Sequence, residues 1–383
     1  MIGLGVDLFF EEWVGKYKNK RVGLLTNITG VNARLQPTID LFFEHPEIDL
    51  ICLFSPEHGI RGDAKEGEKV ASGVDPYTGL PVFSLYGETR KPTKDMLDSL
   101  DVVVVDLQDI GARYYTFIYT VANMMEACKD LDIEVVILDR PNPIGGLRRE
   151  GNIVEEDFRS FVGQYPLPNR HGLTIGELAL VFQREFGLEC SLSIISMSGW
   201  KRDMYFVDTG LQWVPPSPNS TGQIMSLLYP GTCLIEGTNL SEGRGTTRPF
   251  EIVGAPFING YELAKRLNEK QLEGIIARPT SFIPTYQKYK DQWCAGVQLH
   301  VMDIRKVNSY RTGLVLLETI SELYGEAFEF RDPDNKRSPF NLLAGTDKLQ
   351  RIIREHRVEE YLSDCEREIQ DFNEMIKPYL IYE

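Results

Sequence analysis

Residues 55–59 read Ser-Pro-Glu-His-Gly and place a carboxylate beside an imidazole, directly after a short apolar segment. That segment, residues 48–54, has the length and composition of a buried strand, and a polar loop rich in glycine follows it. In open α/β sheets, ligands bind just outside the carboxyl ends of the strands. Glu57 and His58 are therefore candidate catalytic residues. The alternatives are a loop or capping carboxylate for Glu57 and a structural hydrogen bond for His58.

Four further predicted strands, residues 21–27, 80–85, 101–106 and 133–139, also end in polar residues. Carboxylates, amides, guanidinium groups and phenols bind sugar hydroxyls, and aromatic rings pack on the apolar faces of sugars. We therefore predict a carbohydrate site at this edge of the sheet, although ion pairs within the protein would use the same groups. The added candidates are Asn27, Gln108, Asp109, Arg113, Tyr115, Arg140 and Asn142.

Later polar loops supply a second set of candidates. In the polar loop at residues 236–248, the segment Glu-Gly-Arg-Gly at residues 242–245 places polar groups beside two glycines. This favours contact with a ligand, and a structural turn held by a salt bridge is the alternative. Shorter loops lie at residues 169–172 and 217–219. The candidates from the three loops are Arg170, His171, Asn219, Glu236, Asn239, Glu242 and Arg244.

Hydrolysis of a glycosidic bond needs an acid that protonates the leaving oxygen and usually a second carboxylate that acts as nucleophile or base. Glu57 is the predicted acid, and Asp109 or Glu242 is predicted to supply the second charge. Metal-assisted hydrolysis through His58, Glu57 and Asp109 is a weaker alternative, and no metal site is predicted.

Strand and helix signals alternate along the first half of the chain. Helical spacing at about residues 36–44, 93–100 and 119–130 separates the strands, and residues 101–106 form a β-branched run typical of a central parallel strand. This alternation predicts an α/β fold with a Rossmann-like, doubly wound, mainly parallel sheet. A proline-rich stretch interrupts the pattern at residues 215–218.

Two domains are therefore expected: residues 1–225 as the Rossmann-like catalytic domain, and residues 226–383 as a smaller α+β domain that completes the cleft. The second domain should contain one long helix at about residues 349–377. No Gly-x-Gly-x-x-Gly or Gly-Lys-Ser/Thr loop follows the first strand, so no nucleotide cofactor is predicted.

Composition narrows the classes of protein further. The 383 residues carry a net charge of −15 without a dense basic block, which argues against nucleic acid and anionic membranes as partners. Six irregularly spaced cysteines are expected to be reduced and buried. The first residues lack the pattern of a secretory signal, so a cytoplasmic location is expected, or a periplasmic or secreted one if a signal has been removed.

Four ordered segments together resemble the NamZ-like exo-β-N-acetylmuramidases. They are residues 55–59, 106–116, 138–143 and 236–246, and the resemblance runs from about Gly23 to the C-terminus. It implies a glycosidase of cell-wall turnover and muropeptide recycling that removes N-acetylmuramic acid from the non-reducing ends of peptidoglycan fragments. It also implies an active site in a cleft between a Rossmann-like domain and a smaller one.

The resemblance assigns the catalytic glutamate to Glu57 and leaves the second carboxylate open. The candidates to bind the lactyl carboxylate of such a substrate are Arg113, Arg140, Arg170 and Arg244. The candidates to bind its N-acetyl group are Asn142, Asn219 and Tyr115. Members of the family are often exported, whereas no signal is recognised here. The alternative function is that of a non-catalytic two-domain protein that binds peptidoglycan or a sugar.

Overall fold

The computed structural model describes residues 2–62 and 71–383. The strands of the larger sheet are β1 (Arg21–Thr26), β2 (Asp49–Ser55), β3 (Gly73–Val74), β4 (Pro81–Ser84), β5 (Val102–Asp106), β6 (Glu134–Leu138) and β7 (Ser191–Ile195). Among the described residues their order is β3-β4-β2-β1-β5-β6-β7. All neighbours pair in parallel except β3, which is antiparallel to β4 at the edge.

Both faces of this sheet are covered, as the apolar run of β5 requires. Val103 and Val105 belong to one hydrophobic cluster, and Val102 and Val104 belong to another on the opposite face. The predicted doubly wound α/β fold is thereby confirmed. The α-helices are α1 (Gly5–Leu8), α2 (Thr38–Glu44), α3 (Lys94–Leu97), α4 (Phe117–Cys128), α5 (Ile175–Arg184), α6 (Gln223–Thr232), α7 (Gly260–Glu269), α8 (Ser309–Tyr324), α9 (Pro339–Ala344), α10 (Lys348–Arg354) and α11 (Val358–Ile376).

A smaller antiparallel sheet lies in the second half of the chain. Its strands β8 (Ile252–Ala255), β9 (Ile275–Phe282) and β10 (Cys294–Val301) have the order β8-β10-β9. Helices α7 and α8 contribute to the same hydrophobic cluster as one face of the large sheet, so apolar packing is continuous between the two halves. The expected boundary at residue 225 falls inside α6, and the division into two domains at that point stays a prediction.

The single long helix predicted at about residues 349–377 is wrong. Helix α10 ends at Arg354 and α11 begins at Val358, with His356 at a φ of 56° between them. The backbone amide of Val358 donates to Oε1 of Glu318 on α8 at 3.0 Å, and Ile353 and Val358 are both buried. The free energy gained by burying both apolar residues and by making this hydrogen bond exceeds that of continuing the helix. The chain therefore turns between α10 and α11.

Residues at the end of the chain return to the large sheet. The Tyr382 hydroxyl donates to Oδ2 of Asp139 at 2.6 Å, and the Ile381 amide donates to Oε1 of Glu177 at 3.0 Å. Asp139 directly follows β6, and Glu177 lies in the first turn of α5. The second half of the chain is therefore hydrogen-bonded to the first at a distance of 243 positions in sequence. No helix among the described residues is long and apolar enough to span a bilayer.

Candidate active site

A cavity of about 520 Å³ opens beside the carboxyl end of β2. Residues from both halves of the chain line it, including the segments around Glu57, Tyr115 and Asn219 from the first half and the residues around Glu236 and Arg244 from the second. A concave site of this size matches a monosaccharide or disaccharide unit better than an extended polymer. The candidate site therefore lies where the two halves meet.

A sharp turn after β2 brings Glu57 to the cavity. His58 has a φ of 74° and Gly59 a φ of 77°, so two successive residues adopt the left-handed conformation. For a histidine this conformation costs about 1–3 kcal/mol, and such strain is concentrated at functional sites. Thr116, the N-cap residue of α4 in the segment after β5, donates from its hydroxyl to Oε2 of Glu57 at 2.9 Å. Two strand ends therefore jointly position this carboxylate.

The second cavity-lining carboxylate is Glu236, from the 3₁₀ turn that follows α6. Arg244 donates from Nη2 to Oε1 of Glu236 at 2.5 Å, and its Nε lies 3.3 Å from Oε1 of Glu242. Lys288 Nζ lies 2.9 Å from Oε2 of Glu242. Two carboxylates and two cations thus form one network, in which only Glu236 and Arg244 line the cavity.

The environment of Glu236 favours its protonated form. Burial raises the pKa of Glu236, the Arg244 guanidinium opposes that rise, and the charge of Glu242 adds to it. The side chain of Glu236 is nevertheless 29% exposed, against 3% for Glu242, so of these two carboxylates only Glu236 is accessible from the cavity. A carboxylate with a raised pKa is a stronger base once it has lost its proton.

Aromatic rings form one wall of the cavity. The rings of Tyr229 and Phe250 lie edge to face at 4.7 Å between centroids, and those of Tyr115 and Phe117 do so at 5.0 Å. The Tyr115 and Tyr229 centroids are 6.1 Å apart. Such rings supply the apolar surface on which a sugar ring packs, with phenol oxygens at their edges.

The proline-rich segment that interrupts the strand pattern contributes a further wall. Asn219 accepts a hydrogen bond from the Tyr286 hydroxyl at its Oδ1, at 2.9 Å. The Ser217 and Ser220 hydroxyls are 3.0 Å apart, and the Tyr115 hydroxyl lies 3.4 Å from Ser220 Oγ. Amide and hydroxyl groups therefore line the cavity next to the aromatic residue Tyr115.

The structure brings six of the sequence-predicted site residues into the cavity lining and places the other ten elsewhere. The six are Glu57, His58, Tyr115, Asn219, Glu236 and Arg244. The ten are Asn27, Gln108, Asp109, Arg113, Arg140, Asn142, Arg170, His171, Asn239 and Glu242.

Three of the predicted arginines bind groups of the protein itself. The buried Arg113 guanidinium donates to four backbone carbonyls at 2.8 to 3.0 Å. Arg140 pairs with Asp106 through Nε at 2.5 Å and Nη2 at 2.8 Å, and Arg170 pairs with Glu150 at 2.5 Å. All three side chains are at most 5% exposed, so they organise the loops around the site without reaching the cavity.

Asp109 and His171 form a buried pair that does not line the cavity. His171 Nε2 lies 3.1 Å from Oδ2 of Asp109, and its Nδ1 accepts from the Leu173 amide at 3.2 Å, which assigns the ring proton to Nε2. Oδ2 of Asp109 also accepts from the Gly111 amide at 2.6 Å. This pair fixes the loop that leads from β5 to Tyr115.

The four amide candidates outside the cavity bind backbone groups of the protein itself. Asn27 accepts at Oδ1 from the Thr29 amide at 3.0 Å. The other three donate to backbone carbonyls: Gln108 Nε2 to Pro141 at 2.8 Å, Asn142 Nδ2 to Leu173 at 2.9 Å and Asn239 Nδ2 to Ala327 at 2.9 Å.

Across residues 2–62 and 71–383, no group of three or more His, Cys, Asp or Glu side chains is arranged to hold a metal ion.

Sequence reasoning missed most of the cavity lining, including Arg90, Phe161, Tyr229 and Phe250. It also did not connect Thr116 with Glu57. Arg90 lies six positions after the end of β4, so the rule that treats polar residues after a strand as site candidates could have selected it. Phe161 lies in a loop without a strand-end signal, and nothing in its local sequence marks it.

Comparison with known proteins gives matches over nearly the whole chain. The protein-family model for the N-terminal part of exo-beta-N-acetylmuramidase NamZ matches residues 22–223. The family model for its C-terminal part matches residues 227–382. The peptidoglycan beta-N-acetylmuramidase NamZ of Bacillus subtilis (strain 168) is 47% identical over 379 residues, which are 99% of this chain and 91% of that protein.

Two crystal structures of DUF1343 family proteins from Bacteroides fragilis NCTC 9343 have the same fold. One superposes with a TM-score of 0.90 at 38% sequence identity, and the other with a TM-score of 0.80 at 29% identity. Each comparison covers 100% of this chain and 99% of the other.

Proposed function

We propose, from the premise that this chain belongs to the NamZ family of exo-β-N-acetylmuramidases, that Glu57 and Glu236 are the carboxylate pair that cleaves its substrate. The protein is a glycoside hydrolase that releases N-acetylmuramic acid from the non-reducing end of peptidoglycan fragments. One observation carries the assignment of the pair. Among the described residues, Glu57 and Glu236 are the two carboxylates that line the cavity.

Glu57 acts as the acid that protonates the oxygen of the leaving sugar. The Thr116 hydroxyl, 2.9 Å from Oε2, stabilises the carboxylate that remains after the proton has been transferred. Proton donation to the leaving group contributes about 10²- to 10⁴-fold to such reactions.

Glu236 acts in its ionised form on the opposite side of the anomeric carbon, as nucleophile or as base toward water. Arg244 holds one oxygen of Glu236 and thereby limits the rotation of the carboxylate. The raised pKa of Glu236 strengthens it as a base, and the adjacent cation keeps the ionised form accessible.

The walls of the cavity account for binding of the sugar. The rings of Tyr115, Tyr229 and Phe250 supply an apolar surface for the pyranose, and Asn219 supplies an amide for the N-acetyl group. An acidic protein gains no long-range attraction for an anionic sugar, so affinity has to come from such local contacts.

The roles of the two carboxylates are separated by varying the leaving group. We expect Glu57→Gln to lower kcat on a muramic-acid disaccharide by about 10²- to 10⁴-fold and to act far less on a 2,4-dinitrophenyl muramide, because dinitrophenolate leaves without protonation. Glu236→Gln should lower turnover of both substrates. The measurement is release of free N-acetylmuramic acid and of the leaving group, followed over time.

Glu88→Gln is the matched control, because Glu88 is exposed and does not line the cavity. It should retain the activity of the unmodified protein on both substrates. Near-normal disaccharide turnover by Glu57→Gln would remove Glu57 from the reaction. Equal loss on both substrates would instead exchange the roles of Glu57 and Glu236.

A further inference from the structure

We infer that Arg90, which stacks against Tyr86 and Phe161 in the cavity, binds the carboxylate carried by the 3-O-lactyl arm of the substrate. This inference rests on the proposed function and deepens it. The lactyl arm is what distinguishes N-acetylmuramic acid from N-acetylglucosamine, so a cation that binds its carboxylate determines which sugar is cleaved.

The guanidinium of Arg90 lies over two aromatic rings in the lining of the cavity. Its guanidinium carbon lies 3.9 Å from the ring centroid of Phe161 and 5.5 Å from that of Tyr86, and the two centroids are 5.9 Å apart. A guanidinium that covers a ring with its face keeps its N–H groups in the plane, where they can bind both oxygens of a carboxylate.

The backbone of Arg90 is also fixed. The Asn123 side chain donates from Nδ2 to the Arg90 carbonyl at 3.1 Å, and Gln164 donates from Nε2 to Oδ1 of Asn123 at 3.0 Å. Because Asn123 belongs to α4, the loop after β4 is tied to a helix of the sheet layer. An anchored backbone and a stacked side chain reduce the entropy that binding an anion would otherwise cost.

Arg90 and Arg244 are the two arginines in the described lining of the cavity, and their pairing differs. Arg244 contacts both Glu236 and Glu242. No ion pair joins Arg90 to a carboxylate of the described chain, and its side chain contacts the two rings and the Tyr86 hydroxyl. Arg90 therefore has the charge that the carboxylate of a substrate would neutralise.

Tyr86 places Arg90 close to the catalytic carboxylate. The pKa of Tyr86 is raised to about 12 by burial and by the nearby charge and hydrogen bond of Glu57, while Arg90 opposes this rise. One tyrosine thus contacts both residues. The sugar that carries the carboxylate consequently lies in the subsite next to the cleaved bond, as release of a terminal muramic acid requires.

The test compares Arg90→Gln with the unmodified protein on aryl glycosides that share one leaving group. The first substrate carries the free lactyl carboxylate, the second its methylamide, and the third is an N-acetylglucosaminide without the arm. We expect kcat/KM to fall by about 10- to 100-fold on the first and to stay within about twofold on the others. Arg90→Lys should give an intermediate loss, because it keeps the charge without the bidentate geometry.

A fourth substrate, whose carboxylates belong to a peptide joined to the lactyl arm, locates the anion. Loss of kcat/KM on the free lactyl substrate supports binding of the lactyl carboxylate itself. Loss confined to the peptide substrate would show that Arg90 binds a peptide carboxylate and would overturn the lactyl assignment. Equal losses on all substrates, or no loss on any, would overturn binding of an anion by Arg90.

Arg184→Gln, an exposed arginine at the end of α5 that does not line the cavity, is the matched control and should change none of these values. The Tm of Arg90→Gln should stay near that of the unmodified protein because Arg90 is exposed. Failure of the proposed function would look different: the unmodified protein would then release no N-acetylmuramic acid from any substrate.

Discussion

Carboxylates follow several parallel strands at the same edge of the large sheet, but they meet two different surroundings. Asp106 at the end of β5 accepts hydrogen bonds from Arg140 and from the Thr38 hydroxyl, and Asp139 after β6 accepts from four donors. Glu57 after β2 lines the large cavity. The position at a strand end is common to all three, whereas only the last can meet a substrate.

Asp106, Asp139 and their hydrogen-bond partners form a closed region of the sheet edge. This region lies where an open α/β sheet normally binds its ligand. Strand order reverses between β1 and β5, and crevices at such points are the usual ligand sites. Here the pocket that Arg140 lines is only about 20 Å³, room for about one water molecule. The cavity lies instead toward β2 and takes its second carboxylate from the other half of the chain. Internal ion pairs at one point of the rim thus displace the ligand site to another.

The largest effect should come from breaking the closed region. Asp106→Asn leaves the Arg140 guanidinium buried without its counter-ion, and both side chains are at most 5% exposed. Loss of one member of a buried ion pair costs about 3–5 kcal/mol. We expect a fall of that size in the free energy of unfolding, measured in urea, with kcat of the folded protein changed only a few-fold.

Glu360→Gln tests the same kind of change at an exposed pair with Arg357 and should alter the free energy of unfolding by less than about 1 kcal/mol. An Asp106→Asn protein that kept its stability and lost its turnover would place Asp106 in the chemistry and remove the distinction between the two regions.

The cavity around Glu57 and Glu236 is the open region of this comparison. A smaller effect, on the pH dependence of catalysis, should follow a change in the charges beside Glu236. Glu242→Gln removes a negative charge that raises the pKa of Glu236, and it leaves Arg244 and Lys288 to act on Glu236 more strongly. The pKa of Glu236 therefore falls. Because the role proposed for Glu236 requires its ionised form, the acid limb of the kcat/KM profile should move to lower pH.

Glu251→Gln removes a charge from the same half of the chain at a residue that does not line the cavity, and it should leave that limb in place. A shift of the limb to higher pH in Glu242→Gln would contradict the assigned role of Glu236.

The smallest effect should follow removal of the hydrogen bond that positions Glu57. Thr116→Val deletes the donor to Oε2 of Glu57, and loss of such a hydrogen bond costs about 1 kcal/mol. We therefore expect kcat to fall by about fivefold, with the same reaction product. Thr120→Val, one turn further along α4, is the control, because the Thr120 hydroxyl bonds to a backbone carbonyl. An unchanged kcat in Thr116→Val would show that Glu57 is held by other contacts.

Local sequence was sufficient for five of the seven described strands of the large sheet, but not for β3 and β7, and for the placement of Glu57 after β2. The bounds of five strands were predictable to within two residues, because buried β-branched runs such as residues 101–106 strongly favour a central parallel strand. The family resemblance is likewise confirmed. The helix at residues 349–377 failed because a contact with α8, made by Val358, decides where the chain turns.

The site was less predictable because residue type does not reveal which partner a polar group will find. Arg113 and Arg90 are both arginines near strand ends, yet one donates to four carbonyls and the other stacks in the cavity. Glu236 and Glu242 lie six residues apart, and only the first lines the cavity. These differences arise from contacts between distant segments, which spacing along the chain does not encode.

The bond from Tyr382 to Asp139 has a consequence for the order in which the protein matures. Asp139 leaves the ribosome 243 residues before its partner, an interval of roughly 12 to 50 seconds at bacterial and eukaryotic elongation rates. Throughout that time one of the four donors to a buried carboxylate is missing. The hydrogen bonding of Asp139 therefore stays incomplete until Tyr382 arrives, and products truncated before Tyr382 should be cleaved faster by proteases than the whole chain.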